Sequence, residues 1–191
     1  MAYNFFPMIA RMKYINRWGL MRNTQEENIQ EHSHMVAVLA HALAVIQNRY
    51  YGGQVDPGAV AVAALYHDAS EILTGDMPTP IKYDNPDIQR AYKDIEAVAE
   101  RKLLSMLPED LRADYDEVIT IPDPEIRALV KAADKLSAYL KCVAELKAGN
   151  TEFRRAADET MAALKAMRME EVDWFMDKLG GAFQLTLDDL G

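Results

Sequence analysis

Three times in this chain an acidic or amide side chain stands directly before a proline: Asp56-Pro57, Asn85-Pro86 and Asp123-Pro124. Aspartate and asparagine cap helices well, and proline at the first helical position gives up only an N–H that has no partner there. Three such starts, with no alternating β-branched runs and no hairpin dipeptide between two of them, direct the chain to an all-α fold. Asn28-Ile29-Gln30-Glu31 adds a capping box, in which Glu31 reaches back to the Asn28 N–H. Behind it, Met35, Val36, Leu39, Leu43 and Ile46 repeat at helical spacing. A second stripe runs through Ile126, Leu129, Val130, Ala133, Leu136, Leu140 and Val143, with Gly149 placed to stop it. The pattern predicts helices over 3–17, 29–51, 57–73, 87–106, 109–119, 124–148 and 151–178. With 191 residues, no internal repeat and no linker, one helical domain over 1–191 is expected.

Charge narrows the partners. Thirty acidic against 21 basic residues give a net charge of -9, with no offsetting Lys/Arg block. Polymeric nucleic acid and anionic membrane are therefore not expected as partners, whereas a small phosphorylated metabolite is compatible with a pocket dominated by one cation and one Arg. The start, Met1–Arg11, lacks a basic n-region, and Pro7 interrupts its apolar run. The longest stretch without Asp, Glu, Lys or Arg, His32–Asn48, contains three histidines and is too short to span a bilayer. The single cysteine, Cys142, forms no internal disulfide and fits a reducing compartment. A soluble cytoplasmic protein is expected.

One helix start leads into unusual chemistry. Val60–Leu65 is small and apolar all round, then gives way to Tyr66-His67-Asp68-Ala69-Ser70-Glu71. Ionisable groups at the end of a buried helix are costly unless something pairs them. On a continuous helix His67 and Glu71 share a face, and His67 and Asp68 can converge on one point beside the axis. A local salt bridge answers that cost, and so does a divalent cation. His32 lies on the apolar face of its own helix, and Asp134 sits among small residues in Val130-Lys-Ala-Ala-Asp-Lys-Leu136. One His, one His-Asp pair and one Asp suffice for a mononuclear site, and imidazole with carboxylate suits Mn, Co, Fe, Ni or Zn, with Mg also accepted. His34 and His41 share a different face and read as ordinary helix histidines. The 11 methionines read as core filler and Cys142 as a buried, inert thiol.

The order His … His-Asp … Asp, set in Glu31-His32-Ser33, Tyr66–Glu71 and Lys131-Ala-Ala-Asp134-Lys135, resembles the HD-domain metal-dependent phosphohydrolases. Asn16-Arg17-Trp18, Thr74-Gly75-Asp76-Met77-Pro78-Thr79-Pro80 and Ala138-Tyr139-Leu140-Lys141-Cys142 are similar to the bacterial 5'-deoxynucleotidase branch, and the likeness spans nearly the whole chain. The resemblance implies one divalent ion, cobalt or manganese with zinc or magnesium as alternatives, on His32, His67, Asp68 and Asp134. It implies Glu71 as the catalytic carboxylate with Arg17 assisting. The implied substrate pocket is Arg17, Trp18, His32, Asp68, Asp76, Met77, Pro78, Thr79 and Asp134.

The activity implied is hydrolysis of 2'-deoxyribonucleoside 5'-monophosphates by a metal-activated water, in a homodimer. The chemistry of the residues agrees. A divalent ion brings the pKa of water toward neutrality, Glu71 can carry protons, and a guanidinium can hold two phosphate oxygens. Arg17 could otherwise merely compensate the dipole at the end of the first helix. Trp18 would wall the sugar or base. Residues 69–133 contain no His, where two-metal relatives carry extra histidines, so one ion is expected. Apolar Met161, Leu164, Met167, Trp174 and Phe175 exceed the needs of a small core and suggest a helix-mediated dimer. Two alternatives remain: an HD-domain hydrolase of another nucleotide phosphoester, and a helical regulatory module with a structural metal, which would need neither Glu71 nor Arg17.

Overall fold

Each Asx-Pro pair starts a helix. In the computed structural model, which describes residues 3–82 and 85–191 and only the backbone of Thr79 and Pro80, the side chains of Asp56, Asn85 and Asp123 accept hydrogen bonds from first-turn N–H groups. Both halves of the Asn28–Glu31 capping box are formed. The helices are α1 (Phe5–Ile9), α2 (Ile29–Tyr50), α3 (Pro57–Tyr66), α4 (Glu71–Thr74), α5 (Thr79–Lys82), α6 (Pro86–Leu104), α7 (Arg112–Thr120), α8 (Pro124–Lys147), α9 (Arg154–Met167) and α10 (Glu170–Lys178). The fold is all-α; among the described residues the β-type pairing is a single isolated bridge, Asn16 with Asn28. No helix among them is long and apolar enough to cross a membrane.

Helix α2 is the hub, packed against α3, α8 and α10, with α9 on the far side of α8. Val36, Leu39, Ala40 and Leu43 of α2 meet Val60 and Ala64 of α3 and Leu129, Ala133 and Leu136 of α8. The alanines at these crossings let the backbones approach, which brings His32 and Asp134 side by side. Burying each large apolar side chain here contributes about 1.5–3 kcal/mol. A second cluster of Phe5, Leu103, Leu107 and Ile119 closes beneath Ala69, with the Phe5 ring 5.1 Å from Tyr115 and 6.4 Å from Tyr66. That cluster supports the His-Asp turn from below.

Three expected helices are broken, each for a local reason. The segment 3–17 becomes α1, a 3-10 turn at Met12–Tyr14 and extended backbone at Ile15, so Arg17 lies outside any helix rather than at the end of one. The segment 57–73 stops at Tyr66. There the His67 ring Nδ1 takes the Ala64 carbonyl at 2.8 Å, a partner that helix continuation would need, and the next backbone bonds reach back three residues (Ala69 to Tyr66, Glu71 to Asp68, Ile72 to Ala69). Such competition by a side chain is a general way to end a helix. Glu71 consequently opens α4 instead of closing a long helix. The segment 151–178 divides at Arg168, whose φ of 53° is left-handed, and the bend lets Leu164 of α9 and Phe175 of α10 enter the same core.

Burial also corrects three details. Met35 is 39% exposed, off the core face, and Val62 and Leu65 are each 43% exposed, so α3 is half-buried rather than enclosed. The supposedly surplus Leu164 and Phe175 belong to the main core, and Met167 and Trp174 pack against it. His34 and His41 face outward, as expected. Gly149, at φ 86°, follows the end of α8.

One buried acid ties the loop after Trp18 to the end of α8. Glu145, 1% exposed, accepts from Thr24 N (2.9 Å), Thr24 Oγ1 (2.6 Å), Asn150 Nδ2 (2.9 Å) and Lys141 Nζ. Burial alone would raise its carboxyl, but hydrogen bonds from Lys141, Thr24 and Asn150 outweigh it and hold the group far below the usual carboxylate range. The stability this adds is therefore complete above the unfolded-state carboxylate range near about pH 4.3 and is lost as pH falls below it. Glu145→Ala leaves the half-buried Lys141 ammonium with the Gln25 carbonyl but no counter-charge, removes the acceptor that Thr24 and Asn150 share, and should cost about 3 kcal/mol, or roughly 6–12 °C in Tm. Thermal melts at pH 7 and pH 3.5 check this: the deficit should be large at pH 7 and shrink in acid.

Candidate active site

The site gathers where α2, the turn after α3, and α8 meet. His32, in the first turns of α2, is fully buried. Its Nε2 lies 3.0 Å from Asp134 Oδ1 and 3.7 Å from Asp68 Oδ2. His67 and Asp68 fall in the three-residue-bonded turn, with His67 Nε2 3.1 Å from Asp68 Oδ2. One ligand-capable atom from each of His32, His67 and Asp68 lies within 4.8 Å of the other two. Asp134 stands outside that triangle and joins it through His32. The two imidazole rings are 5.4 Å apart.

Nitrogen chemistry shows what the cluster accepts. A carbonyl oxygen can only accept, so the Ala64 contact places a hydrogen on His67 Nδ1, and in the neutral ring the lone pair is on Nε2. That Nε2 is buried without a hydrogen-bond partner, although the Asp68 carboxylate is close. His32 is held from its other side as well, with Ser137 Oγ 3.3 Å from its Nδ1, where the hydroxyl donates while Nε2 donates to Asp134. Two imidazoles, each steered by a second partner on Nδ1 and turned with Nε2 toward neighbouring carboxylates (His32 donating to Asp134 at 3.0 Å), form a donor set suited to a divalent cation once those nitrogens give up their hydrogens.

The carboxylates are held apart in protonation. Burial would raise Asp68, but His67, His32 and Arg17 outweigh it and keep this carboxyl far below its ordinary range. Asp134 is likewise lowered against its burial, by the hydrogen bond and charge of His32 with help from His67 and Arg17. Glu71 goes the other way. It is 5% exposed and its Oε2 has no partner. Burial, reinforced by Asp68 and Asp76 and opposed by Arg17 and Lys82, pushes its carboxyl up to about 9. Neighbouring acids with values driven apart are a recurrent signature of acid–base sites.

Arg17 reaches the cluster from the Asn16–Asn28 bridge. Its Nη1 is 3.2 Å from Asp68 Oδ2, its Nη2 4.0 Å from Asp134 Oδ1, and its Nε 3.2 Å from Glu27 Oε2. Trp18 packs on Phe153, ring centroids 5.3 Å apart. Asp76, in the half-buried loop with Met77 and Pro78, lies within electrostatic range of Arg17 and Asp68, and its carboxyl is raised mainly by burial. The Thr79 side chain lies outside the described residues. Sequence reasoning missed Ser137 and Glu27. Ser137 follows Asp134 by one helical turn, a spacing that puts both on the face toward α2, whereas nothing local marks Glu27.

The chain is similar to known proteins in sequence and in fold. The family described as 5'-deoxynucleotidase YfbR-like matches residues 4–183. A 5'-deoxynucleotidase of Vibrio cholerae is 51% identical over 189 residues, 98% of this chain and 97% of that protein. The 5'-deoxynucleotidase YfbR of Escherichia coli is 50% identical over 98% of this chain and 95% of its own length. Among solved structures, an HD-domain phosphohydrolase from Listeria innocua superposes with a TM-score of 0.83 at 22% identity, covering 94% of this chain and 88% of that one. The cyanophage S-2L HD phosphohydrolase DatZ, bound to dA and one catalytic Zn2+ ion, superposes with a TM-score of 0.68 at 25% identity, covering 94% and 96%.

Proposed function

The chain belongs to the YfbR-like 5'-deoxynucleotidase family, and from that premise we propose that His32, His67, Asp68 and Asp134 hold one divalent ion, of the cobalt or manganese kind, beside a phosphate grip at Arg17. The enzyme is a metal-dependent phosphomonoesterase of the 5'-deoxynucleotidase type, releasing phosphate from 2'-deoxyribonucleoside 5'-monophosphates. The observation that carries the reading is a pair of buried atoms without partners on one turn: His67 Nε2, a bare donor, and Glu71 Oε2, a carboxyl oxygen aimed at nothing. A structural metal site would require the first and leave the second unexplained.

When bound, the ion supplies Lewis acidity and lowers the pKa of water toward neutrality. The chain's own residues do the rest. Arg17, fixed on one side by Glu27, offers its remaining N–H groups to phosphate oxygens in a planar fork and so orients phosphorus. Glu71, its carboxyl raised by burial and by the nearby Asp68 and Asp76, is placed to carry a proton and can give it to the departing 5'-oxygen. Asp76, Met77, Pro78 and Thr79 border the nucleoside, and Trp18, braced by Phe153, stands as a rigid wall against the sugar.

A braced indole discriminates by collision. Overpacking at a rigid wall costs about 1–3 kcal/mol, or roughly 5- to 150-fold in kcat/KM. Phosphate release from dAMP, dGMP, dCMP, dUMP and dTMP should therefore proceed with weak base preference, while AMP and GMP lag by a factor in that range. Trp18→Ala should narrow the gap. Equal kcat/KM for dAMP and AMP would overturn the sugar assignment. A cytoplasmic homodimer completes the proposal, with the outward apolar face of α2 at Met35, Val38 and Val45 available to a second copy; light scattering reads its mass.

A further inference from the structure

Arg17 and Trp18 are consecutive, yet both side chains end on one atom. Glu27 Oε2 accepts from Arg17 Nε at 3.2 Å and from Trp18 Nε1 at 3.1 Å. The backbone holds the two strands independently of that carboxylate: Arg17 N donates to Glu27 O at 2.8 Å, and Ile29 N donates to Ile15 O at 2.9 Å. The main chain thus decides where residues 17 and 27 sit, while the carboxylate decides where the side chains point. Trp18 has a φ of 59°, a left-handed conformation that a bulky residue adopts only where its surroundings impose it. An extended pair would send neighbouring side chains to opposite sides. The strained turn lets them meet at Glu27.

We propose that Glu27 is a positioning residue that aims Arg17 and Trp18 together, so that one carboxylate couples the grip on phosphate to the choice of sugar. This rests on the nucleotidase reading above. With Nε held by Glu27, the Nη1 and Nη2 groups of Arg17 face Asp68 and Asp134. The same oxygen pins the indole from one edge while Phe153 packs against the ring. Without it, the guanidinium is free to swing about its contact with Asp68, and the indole is free to tilt away from an added 2'-hydroxyl.

The test compares metal-loaded protein with Glu27→Ala, Glu27→Gln and Glu27→Asp, measuring kcat and KM for dAMP and AMP and the affinity for inorganic phosphate by calorimetry. Glu27→Ala should raise both the dAMP KM and the phosphate Kd by roughly 10- to 100-fold, the scale of hydrogen bonds to a charged group. Its kcat should change less, as for lost uniform binding, and its preference for dAMP over AMP should narrow. Glu27→Gln keeps an oxygen of the same reach and should return the preference and part of the KM. Glu27→Asp keeps the charge but is too short to meet both donors, so it should lose the preference even if the alanine variant does not fold. Unchanged phosphate affinity and preference in Glu27→Ala or Glu27→Asp would overturn the proposal, as would a fall in kcat alone. Failure of the unsubstituted protein to hydrolyse dAMP would count against the nucleotidase reading, and phosphate calorimetry would still decide the role of Glu27.

Discussion

Asp68→Ala should abolish phosphate release and strip the protein of its metal in the same step. Asp68 is the carboxylate that meets both imidazoles and the guanidinium, at 3.1 Å from His67, 3.2 Å from Arg17 and 3.7 Å from His32. Its removal would take an anionic donor from the proposed ion and the counter-charge from the guanidinium together. His67→Ala should match it, because Nε2 lacks a hydrogen-bond partner and stands 3.1 Å from Asp68 Oδ2. Activity should fall by more than about 10³-fold in either variant, the scale at which deleting a central catalytic group leaves only residual binding effects. Elemental analysis of the purified variants reads the metal directly. An Asp68→Ala protein that keeps one ion per chain, or keeps its turnover, would contradict the ligand set.

Glu71→Gln separates proton transfer from metal binding. The amide preserves shape and burial but cannot give up a proton as the acid does. Turnover should drop by about 10²–10⁴-fold, the usual contribution of a general acid or base, with metal content and nucleotide binding retained. The pH profile carries the sign. Glu71 is raised, so its acid form predominates below about 9 and is lost above it. The native enzyme should therefore show an alkaline decline in kcat, displaced downward to the extent that a bound cation offsets the influence of Asp68, and the Gln variant should lack it. A metal-free Glu71→Gln protein would instead make Glu71 a ligand.

Much of this site is legible in the sequence because metal chemistry admits few residue types. His32, His67, Asp68 and Asp134 stand out as polar residues placed on faces that otherwise read as core, and the helix starts at Asn28, Asp56 and Asp123 put three of the four supporting segments in place. What was not legible depends on contacts made across the fold. The helix break at His67 comes from a ring nitrogen taking the Ala64 carbonyl, with no Gly or Pro to announce it. The left-handed turns at Trp18 and Arg168 occur at residues that favour no such conformation. Ser137 acts only because α8 packs its face on α2, and Glu27 only because the Asn16–Asn28 bridge folds it back over Arg17. Neither carries a local pattern of its own.

The central claim is that one ion, held by two imidazoles and two carboxylates, makes this helical cluster a phosphomonoesterase. Chelator-treated protein titrated with manganese or cobalt, with phosphate release from dAMP recorded at each addition, tests it most directly. The stripped protein should show no turnover, and recovery should rise linearly and level at one ion per chain. Full activity in the stripped protein, or recovery that levels only at two ions per chain, would contradict it.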